Sequence, residues 1–349
     1  MEKQRQANIE ALRVTSMFLI VVMHYIFCGL KDNPTHMYYD VTTLKGMADY
    51  LTMEPLYILS GTAVNCYVMI TGYFLIDRFS FRWTGIIRTW FVTFFYSLVF
   101  LCIAFLLKEE VSRQVILQSF LPVHQNAYWF VTSYLGLLLI APLLSRAAQS
   151  LSKKAYAWVL AILFVVVFDY LYGRIFAGHR TIVFFSYLFL LGGYFRRYGV
   201  PEWIVKHRWG VFAGVFMALF VLATAVNVRS GSAFKLISSS YDGPVLFLSL
   251  SIFIIVLTSR GEGRIVSAWA KLAPYTFGVY LIHTNCFVNE RIYALIPASF
   301  HYPILCHCFV FCIIVFVTCI SIDFVRAYLF KLAKIDTLIC KVGDKMPQI

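Results

Sequence analysis

A chain of 349 residues with 60% hydrophobic and only 13% charged side chains has more apolar surface than a water-soluble core can bury. Its net charge of +13 comes with long apolar runs split by short basic segments, the distribution of a polytopic membrane protein rather than of a nucleic-acid binder. Most of the nine cysteines lie inside those runs, where a thiol behaves as a small apolar group, which excludes a disulfide-stapled scaffold.

The apolar runs predict an all-α fold of about ten transmembrane helices, at approximately 10–30, 55–76, 88–107, 127–145, 155–173, 181–195, 209–228, 244–258, 274–296 and 304–325. The first carries Arg13 and His24 and lacks a small-x-small cleavage pattern, so it reads as a span and not as a signal peptide. Sorting Lys and Arg between alternate loops puts 21 on one side and nine on the other, and the positive-inside rule then places both termini in the cytoplasm. No internal repeat and no soluble appendage is visible, so residues 1–349 read as a single membrane domain.

Arg13 and His24 are eleven residues apart, three helical turns plus about 20°, so both leave the first span from one stripe. The rise between them is roughly 16 Å, about half the hydrocarbon thickness. Ionisable groups at such depth cost about 2.5–3.5 kcal/mol on insertion scales, which makes a polar path into the bilayer one reading. A snorkelling arginine and a histidine bonded to a neighbouring helix is the other.

The loop Asp77–Arg88 reads DRFSFRWTGIIR, and Arg82 and Arg88, with Arg78 and Arg13, suit phosphate oxygens such as those of a coenzyme A nucleotide. Inward-facing loops carry arginines regardless of any ligand, so both explanations stand. Tyr128 and Trp129 open the fourth span, either as an interface belt or as a platform for a sugar ring. In the ninth span His283 and Glu290 are seven residues apart and share a stripe of a continuous helix, with Asn285 and Asn289 as a second polar pair. Cys306, His307 and Cys308 diverge around a helix and lack a second ligand pair, so no metal is expected. Nucleotide-loop, nucleophile-elbow and zincin motifs are absent from the sequence.

A neutral imidazole can take the proton of a hydroxyl as it attacks a thioester, while fixed donors stabilise the oxyanion. His24 suits that base because its stripe also carries Arg13. The same residues are also compatible with a transporter or flippase of an anionic or lipid-linked substrate.

The spacing Arg13-x10-His24, the segment VNCYVMITGYFL (Val64–Leu75), YWFVTSYLGLLLIAPLL, LFLLGGYFRRY and FGVYLIHTN together resemble, in order, the acyltransferase-3 family of bacterial integral membrane acyltransferases. Thr71 stands where the family's second-span motif usually has serine. The resemblance implies a ten-helix acyltransferase that moves an acyl group, commonly acetyl, from cytoplasmic acyl-CoA to an extracytoplasmic or lipid-linked polysaccharide hydroxyl. It implies functional roles for Arg13 and His24, and for the arginines after span two, here Arg82 and Arg88. It also implies a multi-pass location in the bacterial inner membrane. The resulting expectation assigns His24, Arg13, His283 and Glu290 to catalysis, Arg13, Arg82 and Arg88 to acetyl-CoA, and Tyr128, Trp129 and Asn285 to the acceptor.

Overall fold

The computed structural model describes residues 7–31, 41, 43–167, 182–230, 243–259, 263–297 and 303–347. The expected span ends at 168–173 and 181 lie outside these residues, as do Lys3, Arg5, Arg174, Arg180, Lys235 and Arg260 of the charge sorting. Every described regular element is helical: α1 (Ala7–His24), α2 (Leu44–Gly61), α3 (Ala63–Leu75), α4 (Trp83–Leu106), α5 (Arg113–Phe120), α6 (Trp129–Ser150), α7 (Lys153–Val167) and α8 (Ile182–Tyr198). They continue with α9 (Glu202–Ser230), α10 (Gly243–Thr258), α11 (Arg264–Ala270), α12 (Thr276–His283), α13 (Cys286–Ala294), α14 (Ile304–Leu332) and α15 (Ile335–Asp344). The chain is an all-α polytopic membrane protein.

Seven of the described helical stretches are long and apolar enough to cross a bilayer, against the roughly ten expected. The others are short: α10 has 16 residues, α8 has 17 and ends on Arg196 and Arg197, and α7 is described over 15. The second stretch is longer than expected, because α2 begins at Leu44, where the Thr43 side chain caps the Gly46 amide at 3.1 Å. Lys45, Asp49 and Glu54 hide that segment from a hydropathy reading.

The chain folds into two compact units, each drawn from separated stretches of sequence. The first comprises 1–67, 200–280 and 290–320. Here α1 packs on α2, α10 and α11. Asn8 Nδ2 donates to Val256 O at 2.6 Å and to Ser259 O at 3.2 Å, and Trp269 Nε1 donates to Thr15 Oγ1 at 3.1 Å. Ile58, Leu219, Ala223 and Leu248 join α2, α9 and α10, and Asn65 Nδ2 donates to Ser249 Oγ at 3.1 Å. In lipid, such packing and interhelical hydrogen bonds hold helices together, since the tails around them are as apolar as leucine.

The second unit comprises 68–199, 281–289 and 321–349. The glycines of ITGYFL and LLGGYF serve one helix crossing within it. A Cβ at Gly72 would lie 2.0 Å from the Phe189 carbonyl oxygen, and one at Gly192 would lie 2.1 Å from that of Met69. The backbones of α3 and α8 therefore touch where any larger residue would separate them. Asp323 is fully buried: it accepts from Tyr96 Oη at 2.9 Å, from Arg326 Nε at 3.0 Å and from Arg326 Nη2 at 2.7 Å. The C-terminal helix α15 packs on α4, with Gly343 against Thr84.

Candidate active site

Within the first unit, α1 is regular from Ala7 to His24, so Arg13 and His24 share the expected stripe. At Tyr25 the helix widens into a π-helix that runs to Lys31, a local form common at functional positions. His24 sits at that junction, half-buried. Its Nδ1 donates to Ile20 O at 2.8 Å, which fixes the ring proton there and makes Nε2 the nitrogen with the basic lone pair. The next residue, Tyr25, is fully buried, and its hydroxyl pairs with His307 Nδ1 at 2.7 Å. His307 thus takes a hydrogen-bonding place on α14.

Arg13 is not a bare cation. Its Nη1 lies 3.1 Å from the buried Glu10 carboxylate, and its guanidinium stands 5.8 Å from the centre of the Tyr67 ring. Its Nε is buried without a hydrogen bond. Glu10 is one turn before Arg13, and this i,i+3 spacing is the local signal for the ion pair.

The loop after α3 builds the basic face of the second unit. Arg78 and Arg82 line a small cleft with Ser80, Leu75, Ile86, Leu138, Ala141 and Pro142. Pro142 has no N–H, so α6 withdraws the helical partner of the Leu138 carbonyl in the wall of this cleft. Arg146 Nη2 donates to Phe79 O at 3.3 Å and steadies the loop. Arg88 is one turn into α4 and pairs with Asp336 of α15 at 3.0 Å, so its charge is answered by the C-terminal helix.

The ninth span departs from the continuous helix expected over 274–296. A 3₁₀ turn at Ala273–Tyr275 leads into α12, which ends at His283, and α13 begins only at Cys286. The interruption breaks the stripe that His283 and Glu290 were expected to share, and Glu290 is exposed. His283 is fully buried, and its carbonyl accepts from Asn289 Nδ2 at 3.2 Å.

Asn285 forms the break. Its Oδ1 accepts from the Phe287 amide at 3.1 Å, and its Nδ2 donates to Tyr128 Oη at 2.7 Å. Tyr128 donates in turn to Leu281 O at 3.4 Å. Tyr128, 3% exposed, is therefore a strut for the α12–α13 break and presents no open ring face to a sugar. Trp129 beside it is half-buried, with its ring 6.2 Å from that of Phe185.

Among the described residues no three His, Cys, Asp or Glu side chains converge as a metal site. What these parts offer is an imidazole with an assigned tautomer on one unit and an arginine-lined cleft on the other. An acyltransferase domain family model, Acyl_transf_3, matches residues 6–326. The chain belongs to that family and is a membrane acyltransferase. No curated protein and no solved structure matches it.

Proposed function

We propose that this acyltransferase takes an acetyl group from cytoplasmic acetyl-CoA and transfers it to a hydroxyl of an extracytoplasmic or lipid-linked polysaccharide, in a bacterial inner membrane. His24 Nε2 removes the hydroxyl proton as the oxygen attacks the thioester carbonyl. The carbon–sulfur bond then breaks, and the coenzyme A thiolate recovers the proton from the imidazolium. Arg78 and Arg82 grip phosphate oxygens of the donor nucleotide. Arg13, held by Glu10, supplies positive charge on the His24 stripe. His283 and Asn285 shape the acceptor side, with Tyr128 positioning them.

The observation that supports this assignment best is the Nδ1 bond from His24 to Ile20 O, because it selects the nitrogen that can act as base. The test uses purified protein in liposomes with labelled acetyl-CoA and candidate glycans. His24→Ala is expected to lose about 10²-fold or more in rate while coenzyme A binding persists. Transfer at the wild-type rate in that variant removes His24 from the mechanism. The interrupted α12–α13 segment is a feature shared with transporters. Substrate counterflow without acetyl-CoA consumption would carry that reading instead.

A further inference from the structure

The C-terminal helix α15 has an outer face that acyl transfer does not use. It packs on the start of α4 and is tied there at both ends: Asp336 pairs with Arg88 at 3.0 Å, and Trp83 Nε1 donates to Pro347 O at 2.7 Å. Between these ties Gly343 lies against Thr84, and Ile339 is buried. All of these residues belong to the second unit.

Those contacts set the depth of α15. From Thr89 to Leu107, α4 and its cap carry no Asp, Glu, Lys or Arg. At 1.5 Å per residue that run covers about 28 Å, close to the thickness of the hydrocarbon layer. Trp83, Thr84 and Arg88 come just before it, so α15 lies at the level of the headgroups. Lys334, at φ 56°, turns the chain out of α14 into this position.

At 100° per residue, Asp336, Ile339 and Gly343 share the sector of α15 that meets α4. The neighbouring sector carries Ile335, Leu338 and Val342; Leu338 is 62% exposed and Val342 39%. Lys341 and Lys345, both exposed, border this apolar stripe on the side away from α4. Lys331 and Lys334, also exposed, stand at the turn into the helix. The other carboxylate of α15, Asp344, lies beyond the lysines and away from the stripe.

An apolar stripe bordered by lysines at headgroup depth has the pattern of an interfacial helix. The stripe enters the upper acyl chains, and the ammonium groups reach phosphates. We infer that this outer face of α15 is a docking surface for anionic phospholipid of the surrounding bilayer. Charge complementarity selects that occupant, since Asp336 is already paired with Arg88 and Asp344 alone faces four lysines. Because Asp336 and Pro347 hold α15 to α4, lipid bound there stabilises the pair of helices.

The test is thermal unfolding of the full-length protein in detergent, titrated with phosphatidylglycerol or phosphatidylcholine. Acetyl-CoA is left out, so the result is independent of the acyl-transfer assignment. Phosphatidylglycerol should raise the midpoint saturably, by roughly 3 °C or more, and phosphatidylcholine should not. Lys341→Gln/Lys345→Gln should need about tenfold more phosphatidylglycerol for half the effect, and Leu338→Ser/Val342→Ser roughly threefold more or beyond. Lys206→Gln/Lys271→Gln, which removes two exposed lysines of the first unit, should respond as wild type. Equal responses to the two lipids, or an unchanged titration in Lys341→Gln/Lys345→Gln, overturn the proposal. An equal loss in Lys206→Gln/Lys271→Gln also overturns it, because net charge alone would then account for the effect. A dimer that Leu338→Ser/Val342→Ser abolishes, with the lipid titration intact, gives the face to a second copy and rejects lipid. Should the lysine variant fail to accumulate, native mass spectrometry of phosphatidylglycerol retained by Leu338→Ser/Val342→Ser against wild type decides, and equal retention rejects the surface.

Discussion

Gly72 and Gly192 are reciprocal: each sits against the backbone carbonyl of the residue three positions before the other. Neither can gain a Cβ without moving main chain, so alanine at either position should destabilise the second unit by about 3 kcal/mol. Gly210 on α9 has open space where its Cβ would stand, and Gly210→Ala should be neutral or stabilising by up to about 1 kcal/mol. Thermal unfolding of the three variants in one detergent tests the contrast; equal midpoints for Gly72→Ala and Gly210→Ala would refute the crossing.

Arg13→Ala strands Glu10 in a buried position, so lost activity in that variant mixes two causes. We expect it to lose about 3 kcal/mol of stability. The double variant Glu10→Ala/Arg13→Ala should recover most of that loss while transfer stays abolished. Recovery of transfer together with stability would make Arg13 a counter-ion and nothing more. A double-mutant cycle on unfolding midpoint and rate separates the outcomes.

Tyr128 and Asn285 act as one strut, so their substitutions should not add. Tyr128→Phe and Asn285→Ala are each expected to cost about 1–3 kcal/mol, and the pair little more than either alone. Strict additivity in unfolding would show that the contact does not hold the break between α12 and α13.

Asp336 competes with any phosphate for Arg88. Both partners are well exposed, so the effect should be modest: Asp336→Asn should lower KM for acetyl-CoA about twofold to fivefold and leave kcat unchanged. Arg88→Ala should raise KM. If Arg88→Ala changes nothing, Arg88 does not bind the donor. If only Asp336→Asn is silent, the ion pair is not competitive.

The apolar runs were legible because bilayer thickness acts on local sequence, whereas the contact between Gly72 and Gly192 appears only once α3 and α8 cross. The break after His283 was not legible either. Residues 274–296 hold no internal proline and keep an apolar helical pattern, and Asn285 breaks the helix by bonding Tyr128, 157 positions away. The α2 extension was masked by Lys45, Asp49 and Glu54, whose polarity mimics a loop although Glu54 is fully buried. Arg88 resembled a ligand-ready cation until α15 placed Asp336 beside it. Glu10 could have been found from its i,i+3 spacing to Arg13.

The Glu10–Arg13 pair also bears on biosynthesis. α1 emerges well before α10, since its bond from Asn8 to Val256 spans 248 positions, which at cellular translation speeds means a wait of roughly 10–50 s before that partner is made. During that interval α1 must lodge in the bilayer without α10 or α11. Because the carboxylate and guanidinium lie on the same turn, the newborn helix brings its own neutraliser and can insert early, ahead of the neighbours that later surround it.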